Sequence, residues 1–233
     1  MDIITIKNYN FIYPDGHIGL KNINLKIKKN DKMGIIGNNG SGKSTLFLNL
    51  MGILFGKGEI KVFQHLVIKK NLKKIRQKMN IVFQDVESQL FNTTVYEDVA
   101  FGPVNLNLSK DKIIIRVNDA LKKVNMLGFE NRNPYNLSLG EKKKIAIASI
   151  LSMNPEIILF DEPLSSLDPK SRREIKTLLG NLNTAMLIIS HNIEFVKSFC
   201  NKVIIMKNGE IVENCKPVTI LNDSKLLEKY QLI

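Results

Sequence analysis

The stretch Gly37-Asn38-Asn39-Gly40-Ser41-Gly42-Lys43-Ser44-Thr45 constrains this chain more than any other. It fits G-x-x-x-x-G-K-[ST], the phosphate-binding loop. The apolar run Met33-Gly34-Ile35-Ile36 before it reads as a buried strand. Leu46, Phe47, Leu50 and Met51 after it recur at helical spacing. Strand, glycine loop and helix together make a nest of inward-turned N–H groups, backed by the positive end of the helix. In such a nest Lys43 reaches the β- and γ-phosphates of a nucleotide, and the Ser44 hydroxyl is a ligand for Mg²⁺.

The rest of the chain reads as one α/β domain. Its 233 residues suffice for a core without staples. The regions 2–7, 22–28, 59–63 and 80–83 read as strands, and 72–78 as a basic helix. Residues 86–150 are mostly helical in pattern, with an apolar stripe over 110–125 and a further candidate helix at 142–151. The tail alternates strand 156–160, helix 170–179, strand 185–190, helix 193–199, strand 203–206 and strand 210–213, with a last helix at 224–230. Strands alternating with helices predict a mainly parallel sheet covered on both faces. The expected division is a nucleotide-binding core at 1–85 and 151–233, with an inserted helical subdomain at 86–150.

Three further strand ends suit hydrolytic chemistry. Ile157-Ile158-Leu159-Phe160-Asp161-Glu162 is an apolar strand ending in two acids. Asp161 is placed to hold Mg²⁺, and Glu162 to polarise an attacking water. His191 follows a second apolar strand and Gln84 follows a third. Both would lie at the carboxyl edge of the sheet, where open α/β sheets bind ligands. From there His191 can contact the γ-phosphate, and the Gln84 amide can touch Mg²⁺ or the lytic water.

Bulk properties narrow the partners. The net charge is +12. The lysines come as scattered pairs and triplets without interleaved aromatics, so they read as solvated surface and nucleic acid is not the expected partner. The apolar runs are too short to span a bilayer. The N-terminus lacks a signal-peptide layout, and two cysteines without ligand spacing suit a reducing compartment.

In order, Tyr13, the loop 37–45, Gln84, Leu137-Ser138-Leu139-Gly140-Glu141, the strand 157–161 with Glu162, Ser165-Ser166-Leu167-Asp168 and His191 resemble the motifs of ABC transporter nucleotide-binding domains, over nearly the full length. The resemblance implies a P-loop ATPase core with an N-terminal antiparallel β part. It implies Tyr13 stacking on adenine. It also implies that Ser138, Gly140 and Glu141 begin a signature helix that meets the γ-phosphate held by a second subunit. Here the signature departs from LSGGQ at Leu139 and Glu141. Lys142, Lys143 and Lys144 would offset the acid.

Residues 83–103 and 140–148 resemble the cobalt/nickel importers and the wider energy-coupling-factor group. That resemblance implies an ATP- and Mg²⁺-dependent subunit of an importer for cobalt or nickel ions, or for a vitamin. It would work as a homodimer or heterodimer of ATPases at the cytoplasmic face of the cell membrane. A membrane coupling subunit would dock near 86–102, on the apolar face of Leu90, Phe91, Val95, Val99 and Phe101. The alternatives are a non-transport ABC ATPase and a weakly hydrolysing regulatory subunit.

Overall fold

The computed structural model describes residues 1–221 and 224–230. In chain order the elements are β1 (Asp2–Ile12), β2 (Ile18–Lys28), β3 (Lys32–Ile36), α1 (Lys43–Leu50), β4 (Lys57–Val62), β5 (His65–Leu66), α2 (Leu72–Arg76) and β6 (Met79–Val82). Then follow α3 (Val95–Asn105), α4 (Lys110–Lys123), α5 (Leu139–Leu151), β7 (Ile157–Asp161), α6 (Pro169–Asn181), β8 (Ala185–Ile189) and α7 (Ile193–Phe199). The chain continues through β9 (Lys202–Lys207), β10 (Glu210–Cys215), α8 (Pro217–Leu221) and α9 (Ser224–Lys229).

The strands form two sheets. One has the order β10-β9-β3-β8-β7-β6 and is parallel except for its edge strand β10; the other is antiparallel, β2-β1-β4-β5. Fully buried strands explain the unbroken apolar runs of β7 and β8. Alternate side chains serve two cores. Ile158 and Phe160 face a core shared with Val99 of α3, Leu121 of α4, Ile145 of α5, Ile175 of α6 and Val196 of α7. Ile157 and Leu159 face the other core, with α1 and the antiparallel sheet. The second face is therefore closed by β1, β2 and β4 as well as by a helix.

This layering fixes the functional edge. β3, β6, β7 and β8 are parallel neighbours, so residues just past their ends, Gly37, Gln84, Glu162 and His191, emerge on one side of the sheet. The helices begin where their caps demand. Thr94 and Glu97 close a capping box at α3, and Ser138 and Glu141 close another at α5. The second box starts α5 at Leu139, three residues before the start expected from periodicity. Strands β1 and β2 extend past the expected ranges because bulged pairing carries them to Ile12 and Ile18.

Candidate functional site

The phosphate loop leaves β3 with Gly37 at φ +154° and enters α1 with Gly42 at φ +101°. A Cβ at Gly42 would stand 2.6 Å from the Gly19 carbonyl, and one at Gly37 would stand 2.3 Å from that of Met206. No larger residue fits either place. Gly42 caps α1, whose first amides have no partner within the helix and point out of its end.

Lys43 is buried, and its ammonium donates to the carbonyls of Gly37 at 2.7 Å and Asn38 at 2.8 Å. Burial lowers its pKa, and the nearby charges of Glu162 and Asp161 oppose that shift. Ser44 is exposed on the same turn, and its hydroxyl donates to Asp161 Oδ2 at 3.3 Å. A hydroxyl and a carboxylate this close form a hard oxygen pair that fits Mg²⁺. Burial raises the pKa of Asp161, and the Ser44 hydrogen bond and Lys43 pull it back.

Glu162 stands behind them. It is buried and takes φ +49°, a left-handed conformation uncommon for a non-glycine residue. Its N–H donates to the carbonyl of Ile189 on β8 at 3.0 Å. Its Oε1 is buried, has no hydrogen-bond partner among the described residues, and lies 3.7 Å from His191 Nε2. Burial raises the Glu162 pKa, and the Asp161 charge adds to the rise. Burial lowers that of His191, with help from Lys43, which favours the neutral imidazole.

A cleft of about 260 Å³ gathers these groups. Asn39, Gly40, Ser41, Gly42, Lys43, Ser44 and Thr45 form its floor, Asp161, Glu162, His191 and Gln84 one wall, and Tyr13 the rim. The Tyr13 hydroxyl shares a 2.8 Å hydrogen bond with Thr45 Oγ1, and its ring meets Phe11 edge-on. Gly37 and Asn38 serve this cleft through the carbonyls that hold Lys43. His17 lines the cleft beside Tyr13; it lies in the turn after β1, and no motif marked it.

Ser138, Gly140 and Glu141 do not line this cleft. They form the first turn of α5, where Glu141 Oε2 accepts from the Ser138 amide at 2.9 Å and hydroxyl at 2.8 Å. Those bonds, rather than the lysines, chiefly hold the Glu141 carboxyl below its usual pKa. Leu139 sits in a helical turn and is not among the residues at positive φ, so it does not strain the backbone. The three lysines after Glu141 are not solvated: Lys143 is buried, and the side chains of Lys142 and Lys144 are mostly covered.

The apolar face after Gln84 is also revised. Leu90, Val95 and Val99 are core, because they pack inward under α3. Phe91 and Phe101 are exposed and stack edge-to-face at 5.0 Å, with Val104 exposed one turn along from Phe101. Gln89, also unmarked in the sequence, braces this region: its Oε1 accepts from the Phe83 amide, and its Nε2 donates to the Ala146 carbonyl on α5.

A phosphate loop opposed by an Asp-Glu strand end and a histidine, all on one edge of a parallel sheet, defines a P-loop ATPase cassette. The ABC transporter family matches residues 20–165. The energy-coupling factor transporter ATP-binding protein EcfA of Methanothermobacter thermautotrophicus is 43% identical over 236 residues, covering 99% of this chain and 76% of that protein. EcfA of Methanocaldococcus jannaschii is also 43% identical, covering 100% and 85%. The solved structure of CbiO1 from Clostridium perfringens, described as part of the ABC transporter complex CbiONQ, superposes with a TM-score of 0.87 at 37% identity, covering 99% and 95%. The cassette MJ0796, in a dimeric post-hydrolysis state bound to ADP and Pi, superposes at 0.82 with 31% identity, covering 92% and 98%.

The chain belongs to the ABC transporter family, as an ATP-hydrolysing, ATP-binding subunit of the energy-coupling-factor type. Among the described residues no helix is long and apolar enough to cross a membrane.

Proposed function

We propose that this chain hydrolyses Mg-ATP in a pair of cassettes at the cytoplasmic face of the membrane and so drives import of a cobalt or nickel ion, or of a vitamin. The observation that carries the reading is the single cleft in which the loop, Asp161, Glu162 and His191 converge.

The site residues take these roles. The loop amides and the α1 N-terminus bind the phosphates, Tyr13 stacks on the adenine, and Lys43 exchanges loop carbonyls for the β- and γ-phosphate oxygens. Ser44 and Asp161, with Gln84 beside them, would hold Mg²⁺, which when bound neutralises charge on those oxygens. The Glu162 carboxylate accepts a proton from water as its oxygen attacks the γ-phosphorus. The bond to the β–γ bridging oxygen then breaks and yields ADP and phosphate. A raised pKa and an open acceptor atom suit Glu162 to that task. Neutral His191 donates an N–H to the transferring phosphoryl. Ser138 and Gly140 complete the site of the opposing cassette, and residues 86–150 turn as a subdomain when the pair closes.

Phe91 and Phe101 are the outward part of the surface on which a membrane subunit would dock. The cargo reading rests on the resemblance of 83–103 and 140–148 to cobalt and nickel importers.

The test is Glu162→Gln. It is expected to bind Mg-ATP in calorimetry while phosphate release falls by about 100-fold or more. Retained turnover removes Glu162 as the base. Uptake of labelled cobalt or nickel by cells that express the chain with its membrane subunits tests the cargo.

A further inference from the structure

The three lysines after Glu141 run to three different elements. Lys142 Nζ donates to Glu87 Oε1 in the loop after β6, and Lys144 Nζ to Glu174 Oε2 on α6 at 2.6 Å. Lys143 turns inward and is 3% exposed. Its ammonium donates to the carbonyls of Glu162 at 3.0 Å, Pro163 at 3.3 Å and Ser165 at 3.2 Å, and meets Ser165 Oγ at 3.2 Å. A buried charge is costly unless its donors are matched. Here oxygens of a single turn match them.

That turn is the one behind the proposed base. Glu162 holds a left-handed backbone that persists only where its surroundings over-determine it. Its N–H is gripped by Ile189 of β8 and its carbonyl by Lys143 of α5. The peptide flanking the carboxylate is thus pinned between the central sheet and the signature helix. The same turn leads into Ser165-Ser166-Leu167-Asp168, and Asp168 caps α6 through the amides of Lys170 and Ser171. Gly140 lies so close to that cap that a Cβ there would stand 2.5 Å from Ser171 Oγ.

We propose that Lys143 is a positioning residue for hydrolysis: its ammonium ties the Glu162–Ser165 turn to the helix that carries Ser138 and Gly140, and so sets where the Glu162 carboxylate stands over the phosphate loop. Engagement of the signature end of α5 by a second cassette then reaches the base of the same chain through one side chain. This inference rests on Glu162 as the base.

The test uses the full chain with Lys143→Met, Lys143→Gln and Lys143→Arg. ATP affinity is measured by calorimetry, kcat and KM by phosphate release, and backbone exchange by deuterium uptake. In Met and Gln, kcat should fall about tenfold or more with ATP affinity held within about twofold, since small misplacements of a base cost rate rather than binding. Arg should recover much of the loss, because it restores a charged donor. In Gln, amides of 162–166 should exchange faster while those of 37–45 keep their protection.

Wild-type kcat in a folded Met or Gln variant overturns the inference. So does unchanged exchange at 162–166, and so does a loss of ATP affinity that parallels the loss of kcat. If Lys143→Met fails to fold, Lys143→Gln decides. Glu162→Gln run alongside separates the two levels: normal turnover there removes the base and this inference with it. An inert Glu162→Gln with normal Lys143→Gln removes the positioning role alone.

Discussion

Tyr13, the proposed adenine platform, is also tied to the fold. Its ring lines the rim of the cleft, while its hydroxyl bonds Thr45 on α1. Tyr13→Phe removes the hydrogen bond and keeps the face, so ATP affinity should stay within about twofold. Tyr13→Ala removes the face and should weaken binding about three- to tenfold, in line with stacking of about 1 kcal/mol. Titration with a fluorescent ATP analogue measures both, and equal losses in the two variants would transfer the effect to the hydroxyl. The loop 37–45 is legible in the sequence because its chemistry is local, a few side chains at fixed offsets, whereas Tyr13 is named only through the family resemblance. The role of Lys143 is not legible there. Three adjacent lysines read as solvent-facing, and the acceptors that bury the middle one lie on a turn contributed by residues 162–165. The φ of Glu162 was hidden for the same reason, because its partners come from β8 and α5.

At the scale of elements, α5 links the most parts of the site. It braces the loop after β6 through Gln89 and Lys142, the turn after β7 through Lys143, and α6 through Lys144. A helix over 142–151 is legible in the sequence, but its start at Leu139 is not. The S-x-x-E pattern of Ser138 and Glu141 is a capping signature, whereas the family resemblance assigns the same residues to phosphate contact. The two-residue β5 is too short to show a period.

The burial of Lys143 predicts a pH dependence. Its pKa is lowered from 10.5 to about 8, chiefly by desolvation. The folded chain gives up this proton near pH 8 and the unfolded chain near its ordinary value. Between them the unfolded state binds more protons, so this group's contribution to stability rises with pH and is least favourable below about pH 8. Urea unfolding of wild type and Lys143→Gln from pH 7 to 10 should show the difference shifting toward the wild type by about 1–3 kcal/mol. A difference independent of pH would show that the amine titrates as if solvated.

At the scale of the whole molecule, the proposed site is divided between the cleft and the start of α5. The loop, Asp161, Glu162 and His191 share one cleft, whereas Ser138 and Gly140 head α5 outside it. A signature turn that ends in a capping box, with the Ser138 hydroxyl already satisfied by Glu141, does not need a phosphate to fold. The turn is therefore formed before any partner arrives, and in the proposed pair a second cassette brings it to a nucleotide. Two copies closing head to tail around ATP is the simplest arrangement, and blocking hydrolysis should hold them together. Light scattering after gel filtration should find Glu162→Gln dimeric with ATP and monomeric without it. Adding Ser138→Arg to that variant should abolish the dimer while leaving ATP binding within about twofold, because a long cation cannot enter a contact sized for a hydroxyl and the cleft itself is untouched. If Glu162→Gln binds ATP and stays monomeric, the opposing signature belongs to a different cassette, and the working pair is a heterodimer. If the double variant still dimerises on ATP, the α5 end is not the clasp, and the contact between copies must be sought on another face.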